Sequence, residues 1–263
     1  MSNNTPIQEI SKDSMFIQVY QDRASLGEAA ASQVAGRIKE LLSGQDRVRM
    51  IFAAAPSQNE FLRALIRDEE IDWQRIDAFH MDEYIGLPEE APQRFGLFLK
   101  NGLFDHVRPG AVHYMDTTNT AVAECERYAA LLNEAPVDIV CMGIGENGHI
   151  AFNDPPVADF TDPLAMKIVE LDEACRQQQV NDGCFETLDD VPREALTLTI
   201  PTLLSGQYLY CMVPGPAKCQ AVTDTIMGNI HTECPASILR THANCTLYVD
   251  VESFDENVVK VNA

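Results

Sequence analysis

The sequence predicts an α/β protein with an open, mostly parallel, doubly wound sheet and helices on both of its faces. Short apolar runs, typical of buried strands, alternate with segments in which apolar residues recur every three or four positions, typical of helices. The strand-like runs are apolar at nearly every position, as parallel strands covered on both faces are. The chain has 263 residues and no internal repeat, linker or low-complexity segment, so one Rossmann-like domain over residues 1–263 is expected.

The N-terminal half is predicted to begin with a loose polar arm over residues 1–14. Apolar residues at helical spacing predict a helix over residues 25–43. Residues 48–55 form a short apolar run bounded by turns, which indicates a buried strand. Residues 57–60 have the form of a capping box, so a helix is predicted from there to about residue 67. Farther along, the same signals predict a strand at residues 76–79 and helices at residues 92–107 and 120–135.

The C-terminal half is predicted to add several strands and one further helix. Residues 137–144 are an apolar run that leads into a glycine-rich segment, and residues 207–213 are a second run that ends at Pro214-Gly215-Pro216. A helix is predicted from that turn to about residue 227. The remaining strand candidates are residues 166–171, 196–200 and 245–251.

The charge balance is strongly acidic, with 40 Asp and Glu against 19 Lys and Arg and a formal net charge of −21. Nucleic acid and anionic membrane surfaces repel such a chain, so neither is an expected partner. An anionic small molecule would need a local site, built from a few cations and main-chain N–H groups.

Cysteine usage and the lack of export signals predict a cytoplasmic protein. None of the eight cysteines has the C-x-x-C spacing of a zinc or redox site, and Cys141 and Cys211 lie in apolar runs, so reduced, structural thiols are expected. The first residues lack the layout of a signal peptide, and no apolar run approaches the ~18 residues of a membrane span. No set of His, Asp and Glu has metal-ligand spacing, so no metal is expected.

Polar segments follow four of the predicted strands, where open α/β sheets bind their ligands. Asp82 and Glu83 follow one strand, and since successive side chains alternate, one carboxylate should face the crevice and the other turn away. Ser57 and Lys218 lie near the starts of two helices, where they are placed to bind a phosphate. The alternative interpretations are a helix cap or solvated turn for the acids, a plain N-cap for Ser57 and a surface position for Lys218.

The segment from Gly143 to Pro155 is the most informative part of the chain. Its three glycines within six residues let the main chain turn tightly and approach a ligand. His149 follows immediately and exchanges protons near neutral pH, while Asp154, five residues later, is placed to orient it. The alternative is a loop histidine that is satisfied by local hydrogen bonds.

Two of these segments resemble motifs of the glucosamine-6-phosphate deaminase/isomerase family. Residues 79–87, F-H-M-D-E-Y-I-G-L, are similar to the family's F-N-M-D-E-Y-V-G-L, and residues 143–155 are similar to its G-V-G-x-D-G-H-I-A-F-N-E-P. Residues 191–197 resemble its V-P-x-x-A-L-T segment, and the similarity extends over about residues 18–250. The related 6-phosphogluconolactonases share the Gly-His core, but they follow it with T-A-S and lack the Met-Asp-Glu-Tyr segment.

The resemblance implies a reaction in which an amino-sugar phosphate and water give a keto-sugar phosphate and ammonium, with no metal or organic cofactor. It implies that Asp82 is the base that moves a proton between C2 and C1 of the open-chain sugar. It implies that His149, paired with Asp154, opens the sugar ring, and that Lys218 and Ser57 bind the phosphate.

The sequence departs from the family pattern at the site itself. Asn147 replaces an aspartate, so it still accepts a hydrogen bond but brings no charge, and Asp154 replaces a longer glutamate. The phosphate loop, residues 54–57, is not glycine-rich. No arginine stands at the family's second phosphate contact, around residues 182–183, and Arg176 is a candidate replacement.

The resulting hypothesis is a deaminase/isomerase of a 2-amino-2-deoxy-hexose 6-phosphate, with that small molecule as its partner. Three alternatives stay open: another amino-sugar phosphate such as galactosamine 6-phosphate, lactone hydrolysis as in the 6-phosphogluconolactonases, and a non-enzymatic sugar-phosphate sensor. Asp82 and His149 argue against the sensor, which needs no proton shuttle. The family includes monomers and hexamers, so a homo-oligomer is one expected state. Residues 165–167 lack the arginine of the family's allosteric Arg-x-Lys, so that regulation is not expected.

Overall fold

Eight strands form one open sheet in the computed structural model, which describes residues 5–256. Every neighbouring pair is parallel except the first, which is antiparallel. The mostly parallel sheet confirms the predicted fold class. In spatial order its strands are β1 (Gln8–Lys12), β2 (Met15–Tyr20), β11 (Cys245–Asp250), β10 (Tyr208–Val213), β7 (Ile139–Met142), β3 (Val48–Phe52), β4 (Ile76–His80) and β6 (Ala111–His113).

Helices cover both faces of this sheet and divide the core into two apolar clusters. Alternate residues of β3 show the division, because Met50 packs in one cluster and Ile51 in the other. No helix within residues 5–256 has the length and apolar character of a membrane span. One cluster takes side chains from α1 (Arg23–Gly44), α2 (Asn59–Ile66), α3 (Phe95–Leu99) and α6 (Glu173–Asn181), and the other from α5 (Ala121–Leu132), α7 (Ile200–Leu204) and α8 (Cys219–Met227). A π-helical turn, Lys100–Phe104, joins α3 to the short α4 (Asp105–Val107).

A second, antiparallel sheet of three strands lies outside the predicted single sheet. It is ordered β5 (Asp82–Tyr84), β9 (Glu194–Leu198) and β8 (Met166–Glu170). The sequence predicts the last two strands but assigns them to the main sheet, because an apolar run does not specify its hydrogen-bonding neighbour. The strand β5 begins two residues after β4 ends, so Asp82 starts the small sheet.

The predicted loose arm over residues 1–14 is wrong for most of the stretch that the structure describes. Residues 1–4 lie outside the described residues, but Gln8–Lys12 form β1, which pairs antiparallel with β2. The main chain makes this pairing, and β1 carries a single apolar residue, Ile10. Its polar composition therefore lacks the apolar pattern by which a strand is predicted.

The predicted capping box at the start of α2 is also wrong. A short 3₁₀ turn, Pro56–Gln58, precedes the helix, and the N-cap Gln58 makes no side-chain cap hydrogen bond. Glu60 does not reach back to the helix start, since its carboxylate is bound by Arg23 and Arg63. The Ser57 hydroxyl is therefore not engaged as a helix cap.

Candidate active site

The carboxyl ends of the central strands open into a cavity with a volume of about 260 Å³. The loops that follow β3, β4, β7 and β10 line it, as expected for an open α/β sheet. Four of the predicted site residues belong to its lining, namely Ser57, Asp82, His149 and Lys218.

Asp82 is a desolvated carboxylate at the wall of this cavity. It is only 7% exposed, and no donor within residues 5–256 hydrogen-bonds to its carboxylate oxygens. Burial, reinforced by the charge of Glu83, raises the pKa of Asp82 well above its ordinary value. Glu83 points away, as the alternation predicts, and accepts N–H groups from Tyr84, Phe95 and Gly96 at 3.0 Å each. Asp82 is thus the acid of the pair that is placed to exchange a proton with a molecule in the cavity.

His80, at the end of β4, fixes the main chain that carries Asp82. Its Nδ1 donates to the Asp82 carbonyl oxygen at 2.9 Å, and its Nε2 accepts the Met115 N–H at 2.9 Å. Burial lowers the pKa of His80 to about 4, so the ring stays neutral with one donor and one acceptor nitrogen. The strand end is therefore held by a histidine that does not itself line the cavity.

His149 belongs to a hydrogen-bonded triad with Asn147 and Asp154. Its Nδ1 lies 2.8 Å from Asn147 Oδ1 and 2.9 Å from Asp154 Oδ1, so the Nδ1 proton points at oxygen acceptors. Asn147 Nδ2 donates to Asp154 Oδ1 at 2.8 Å. Burial would raise the pKa of Asp154, but the His149 charge and the hydrogen bonds from His149 and Asn147 hold it below its ordinary value. The triad leaves Nε2 as the ring atom that can exchange a proton with a molecule in the cavity.

One group of three side chains in residues 5–256 brings potential metal-ligating atoms within 4.8 Å of one another: His149, Asp154 and Cys175. Sequence spacing did not reveal it, because Cys175 comes from α6, a helix that the sequence did not predict. Burial and the charge of Asp154 raise the pKa of the Cys175 thiol well above its ordinary value. The Nδ1 of His149 in this group already faces the oxygens of Asn147 and Asp154.

Gly145 sets the position of the His149 ring. A Cβ atom at this residue would lie 2.1 Å from His149 Cε1 and 2.3 Å from both ring nitrogens. The change Gly145→Ala is therefore expected to displace the ring and to lower kcat about tenfold or more, because misplacing a catalytic group by about 1 Å can cost up to a hundredfold.

The measurement for this variant is steady-state kinetics beside the melting temperature. Gly36→Ala is the matched control, since a Cβ at Gly36 meets nothing within 4 Å and the residue lies inside α1. Equal kcat values in Gly145→Ala and Gly36→Ala would show that the position of the His149 ring does not matter for turnover.

Lys218 and Ser57 also belong to the cavity lining. Lys218 is 7% exposed, and its Nζ has no hydrogen-bond acceptor in the described part of the chain. Burial lowers the pKa of Lys218, and the charges of Asp182 and Glu146 partly oppose that effect. Gly215, at φ +94°, makes the turn that leads into the lysine. A buried ammonium of this kind favours an anionic ligand.

Arg176 does not have the predicted phosphate-binding position. Its guanidinium is bound to the main-chain carbonyl oxygens of Leu188 and Val191, with Nη2 3.0 Å from Val191 O. It is absent from the cavity lining within residues 5–256. Arg176 therefore binds the 3₁₀ turn that follows α6, and its guanidinium is not part of the cavity lining.

Several lining residues have no signal in the sequence pattern. Gln178, Gln179 and Asp182 come from α6 and its C-cap, which the sequence did not predict because this segment has little apolar periodicity. Arg23, the first residue of α1, also lines the cavity. No local motif marks these residues, and only the fold brings them to Ser57 and Lys218.

Comparison with known proteins shows which family shares these features. The family model described as glucosamine-6-phosphate isomerases/6-phosphogluconolactonase matches residues 21–248. The glucosamine-6-phosphate deaminase of Bacillus cytotoxicus is 33% identical over 241 residues, 91% of this chain and 88% of that protein. The glucosamine-6-phosphate deaminase of Halothermothrix orenii is 30% identical over 244 residues, 91% of this chain and 98% of that protein.

Solved structures give the same result. A monomeric glucosamine-6-phosphate deaminase superposes with a TM-score of 0.83 at 31% identity, covering 90% of this chain and 98% of that chain. A 6-phosphogluconolactonase from Thermotoga maritima shares the fold, with a TM-score of 0.74 at 19% identity, covering 90% of this chain and 99% of that chain. With the family model matched over most of its length, this chain belongs to the glucosamine-6-phosphate isomerase/6-phosphogluconolactonase family.

Proposed function

We propose that this protein converts a 2-amino-2-deoxy-hexose 6-phosphate and water to a keto-hexose 6-phosphate and ammonium. One observation carries the proposal. Within residues 5–256, a single cavity is lined by a carboxylate without a hydrogen-bond donor, Asp82, by an ammonium without an acceptor, Lys218, and by His149, whose Nδ1 faces Asp154. These groups supply a base, an anchor for an anion and a second acid–base group, which are the three functions that this reaction needs.

The proposed mechanism begins with opening of the sugar ring. With Lys218 and Ser57 holding the phosphate, His149 Nε2 accepts the proton of the O1 hydroxyl and returns a proton to the ring oxygen. The bond between C1 and the ring oxygen breaks, and C1 becomes an aldehyde. Asp154, whose pKa is held below its ordinary value, stays ionised and stabilises the imidazolium that forms.

Asp82 then moves one proton between adjacent carbons. Its carboxylate removes the C2 proton while the substrate's ammonium group on C2 gives a proton to the aldehyde oxygen, which leaves an enol with an amine on C2. Asp82 then returns its proton to C1. The product is an iminium at C2, and attack by water on this carbon releases ammonium and leaves the ketone. A base with a raised pKa suits the step, because a stronger base takes a carbon-bound proton more readily.

The Asp82 geometry favours this reaction over lactone hydrolysis. Hydrolysis of an ester needs no base for a carbon-bound proton, whereas here a desolvated carboxylate on β5 lines the same cavity as His149. The similarity to the deaminases at 30% identity or more supports the same choice.

The test is an ammonia-release assay over glucosamine, galactosamine and mannosamine 6-phosphates, with unphosphorylated glucosamine and 6-phosphogluconolactone beside them. We expect ammonia from at least one of the phosphorylated amino sugars, and much less from the sugar without phosphate. Hydrolysis of the lactone with no ammonia from any amino sugar would overturn the proposal.

Asn147 and Asp154 are expected to act as a matched pair. Asn147→Asp alone replaces a donor, 2.8 Å from Asp154 Oδ1, with a second carboxylate, and Asp154→Glu alone pushes ~1.5 Å more chain into the buried triad. Each single variant should have a lower kcat/KM than wild type. The decrease in the double variant should be smaller than the product of the two single decreases, and the difference corresponds to a coupling energy of about 0.5–3 kcal/mol. The measurement is kcat/KM for the four proteins, and independent effects would contradict the pairing.

A further inference from the structure

We propose that Arg23 is a second phosphate-binding side chain of the cavity and sets its preference for phosphorylated sugars. The inference rests on the proposed function, because it names the residue that shares the phosphate with Lys218. It starts from the charges in the cavity. A phosphate ester carries about −1.5 to −2 charges near pH 7. The acidic residues of the lining are Asp82 and Asp182, and within residues 5–256 its Lys and Arg residues are Lys218 and Arg23.

The part of the lining that comes from α6 supplies no second cation. This helix and its C-cap contribute Gln178, Gln179 and the acidic Asp182. Asp182 lies near enough to Lys218 for its charge to act on the lysine's pKa, so it repels a phosphate bound there. The arginine of α6, Arg176, is engaged by carbonyl oxygens away from the lining.

Arg23 is held beside the phosphate loop by two contacts of one nitrogen. Its Nη2 donates to the Pro56 carbonyl oxygen at 3.0 Å and to Glu60 Oε2 at 2.9 Å. Pro56 immediately precedes Ser57, so the guanidinium is fixed to the same turn that presents the Ser57 hydroxyl to the cavity. These two contacts hold the guanidinium of Arg23 in the cavity lining, so α1 does not have to move to bring its charge to the cavity.

The remaining donors of Arg23 are available to a ligand. A guanidinium has five N–H groups, and in the described residues only Nη2 of Arg23 makes hydrogen bonds. Nε and Nη1 can therefore donate to phosphate oxygens, with the charge-assisted geometry that arginine offers to phosphate. The single negative charge of Glu60 is shared between Arg23 and Arg63, because its other oxygen, Oε1, is bound by Arg63 at 2.7 Å. It therefore does not neutralise Arg23 fully.

Arg63 provides a matched control. Both arginines pair with Glu60, but Arg63 is 64% exposed and lies outside the cavity lining, while Arg23 is 46% exposed and belongs to it. Arg23→Gln and Arg63→Gln each remove one positive charge and one ion pair to the same carboxylate. Arg23→Gln also removes the hydrogen bond to the Pro56 carbonyl oxygen, so a difference between the two variants reports the contacts of Arg23 at the phosphate loop and not a change of net charge.

The experiment measures two quantities for wild type, Arg23→Gln, Arg23→Lys and Arg63→Gln. One is KM and kcat on the best amino-sugar phosphate, and the other is the Kd of inorganic phosphate, from the rise in melting temperature with phosphate concentration. We expect Arg23→Gln to raise both KM and the phosphate Kd by about three- to tenfold, a reduced value for a half-exposed contact, with kcat within twofold. Arg23→Lys should lie between wild type and Arg23→Gln, and Arg63→Gln should match wild type.

The two measurements separate this inference from the proposed function. If an amino-sugar phosphate is turned over and Arg23→Gln matches Arg63→Gln in KM and in phosphate Kd, the role of Arg23 is overturned while the proposed function stands. If no amino-sugar phosphate is turned over but phosphate still binds more weakly to Arg23→Gln than to Arg63→Gln, the proposed reaction fails and Arg23 remains an anion-binding residue.

Discussion

Replacing Asp82 with asparagine is expected to lower kcat by about a thousandfold, within the range that one general acid–base group supplies. The amide cannot accept the C2 proton, and the neighbouring carboxylate of Glu83 is turned away and bound by three N–H groups. Asparagine has nearly the shape of aspartate, so the lining of the cavity should be preserved.

The same change is expected to raise the melting temperature. The pKa of Asp82 is raised in the folded protein, so folding is opposed by the buried charge at any pH above that raised value. Below the ordinary pKa of an unfolded aspartate, the side chain is protonated in both states and contributes nothing. The wild-type protein therefore loses stability as the pH rises from the ordinary pKa of an aspartate to the raised pKa of Asp82 in the folded protein, and Asp82→Asn does not.

The measurements are kcat on the best substrate and melting temperatures between pH 4 and pH 9. The gap in melting temperature between Asp82→Asn and wild type should widen as the pH rises. Asp105→Asn, at an exposed surface ion pair with Lys100, is the control and should change neither quantity much. Turnover by Asp82→Asn within threefold of wild type would remove Asp82 from the mechanism.

Replacing Lys218 with methionine is expected to raise KM for the phosphorylated substrate by about 10- to 100-fold, because a hydrogen bond to a charged group contributes about 1.5–3 kcal/mol. Methionine keeps most of the apolar stem but removes the ammonium, whose Nζ has no acceptor of its own in residues 5–256. The loss should appear in KM more than in kcat, since the phosphate is bound in the ground state and the transition state alike.

Activity on an amino sugar without phosphate is the internal control for Lys218→Met. It should be weak in wild type and nearly unchanged in the variant, whereas a general distortion of the cavity would lower activity on both substrates. Lys100→Met removes a lysine from an exposed ion pair and should leave both activities as they are. An unchanged KM in Lys218→Met would place the phosphate elsewhere.

The sequence was most informative where a local pattern carries the signal. Buried strands are recognisable in the sequence as apolar runs, and polar segments follow their ends. The fold class and the place of Ser57, Asp82, His149 and Lys218 in the cavity lining could therefore be predicted. The resemblance then supplied roles for these residues that spacing alone did not.

The rest could not be predicted because it depends on contacts between distant segments. Strand β1 exists through pairing with β2, and the small sheet exists because β5 pairs with a strand more than a hundred residues away. Arg176 was a reasonable substitute for a missing arginine by position, but carbonyl oxygens of a later turn bind its guanidinium. The contact of Arg23 with Pro56 joins residues 33 positions apart in the chain, so no local pattern indicates it.

The two sheets support different parts of the candidate site. Asp82 begins the small sheet, and the loop that carries His149 is fastened to β9 of that sheet, where Phe152 N–H meets Thr197 Oγ1 at 3.1 Å. Ser57 and Lys218 follow strands of the large sheet. In the proposed mechanism, the residues that transfer protons are therefore connected to both sheets, whereas the residues that bind the phosphate depend on the large sheet alone.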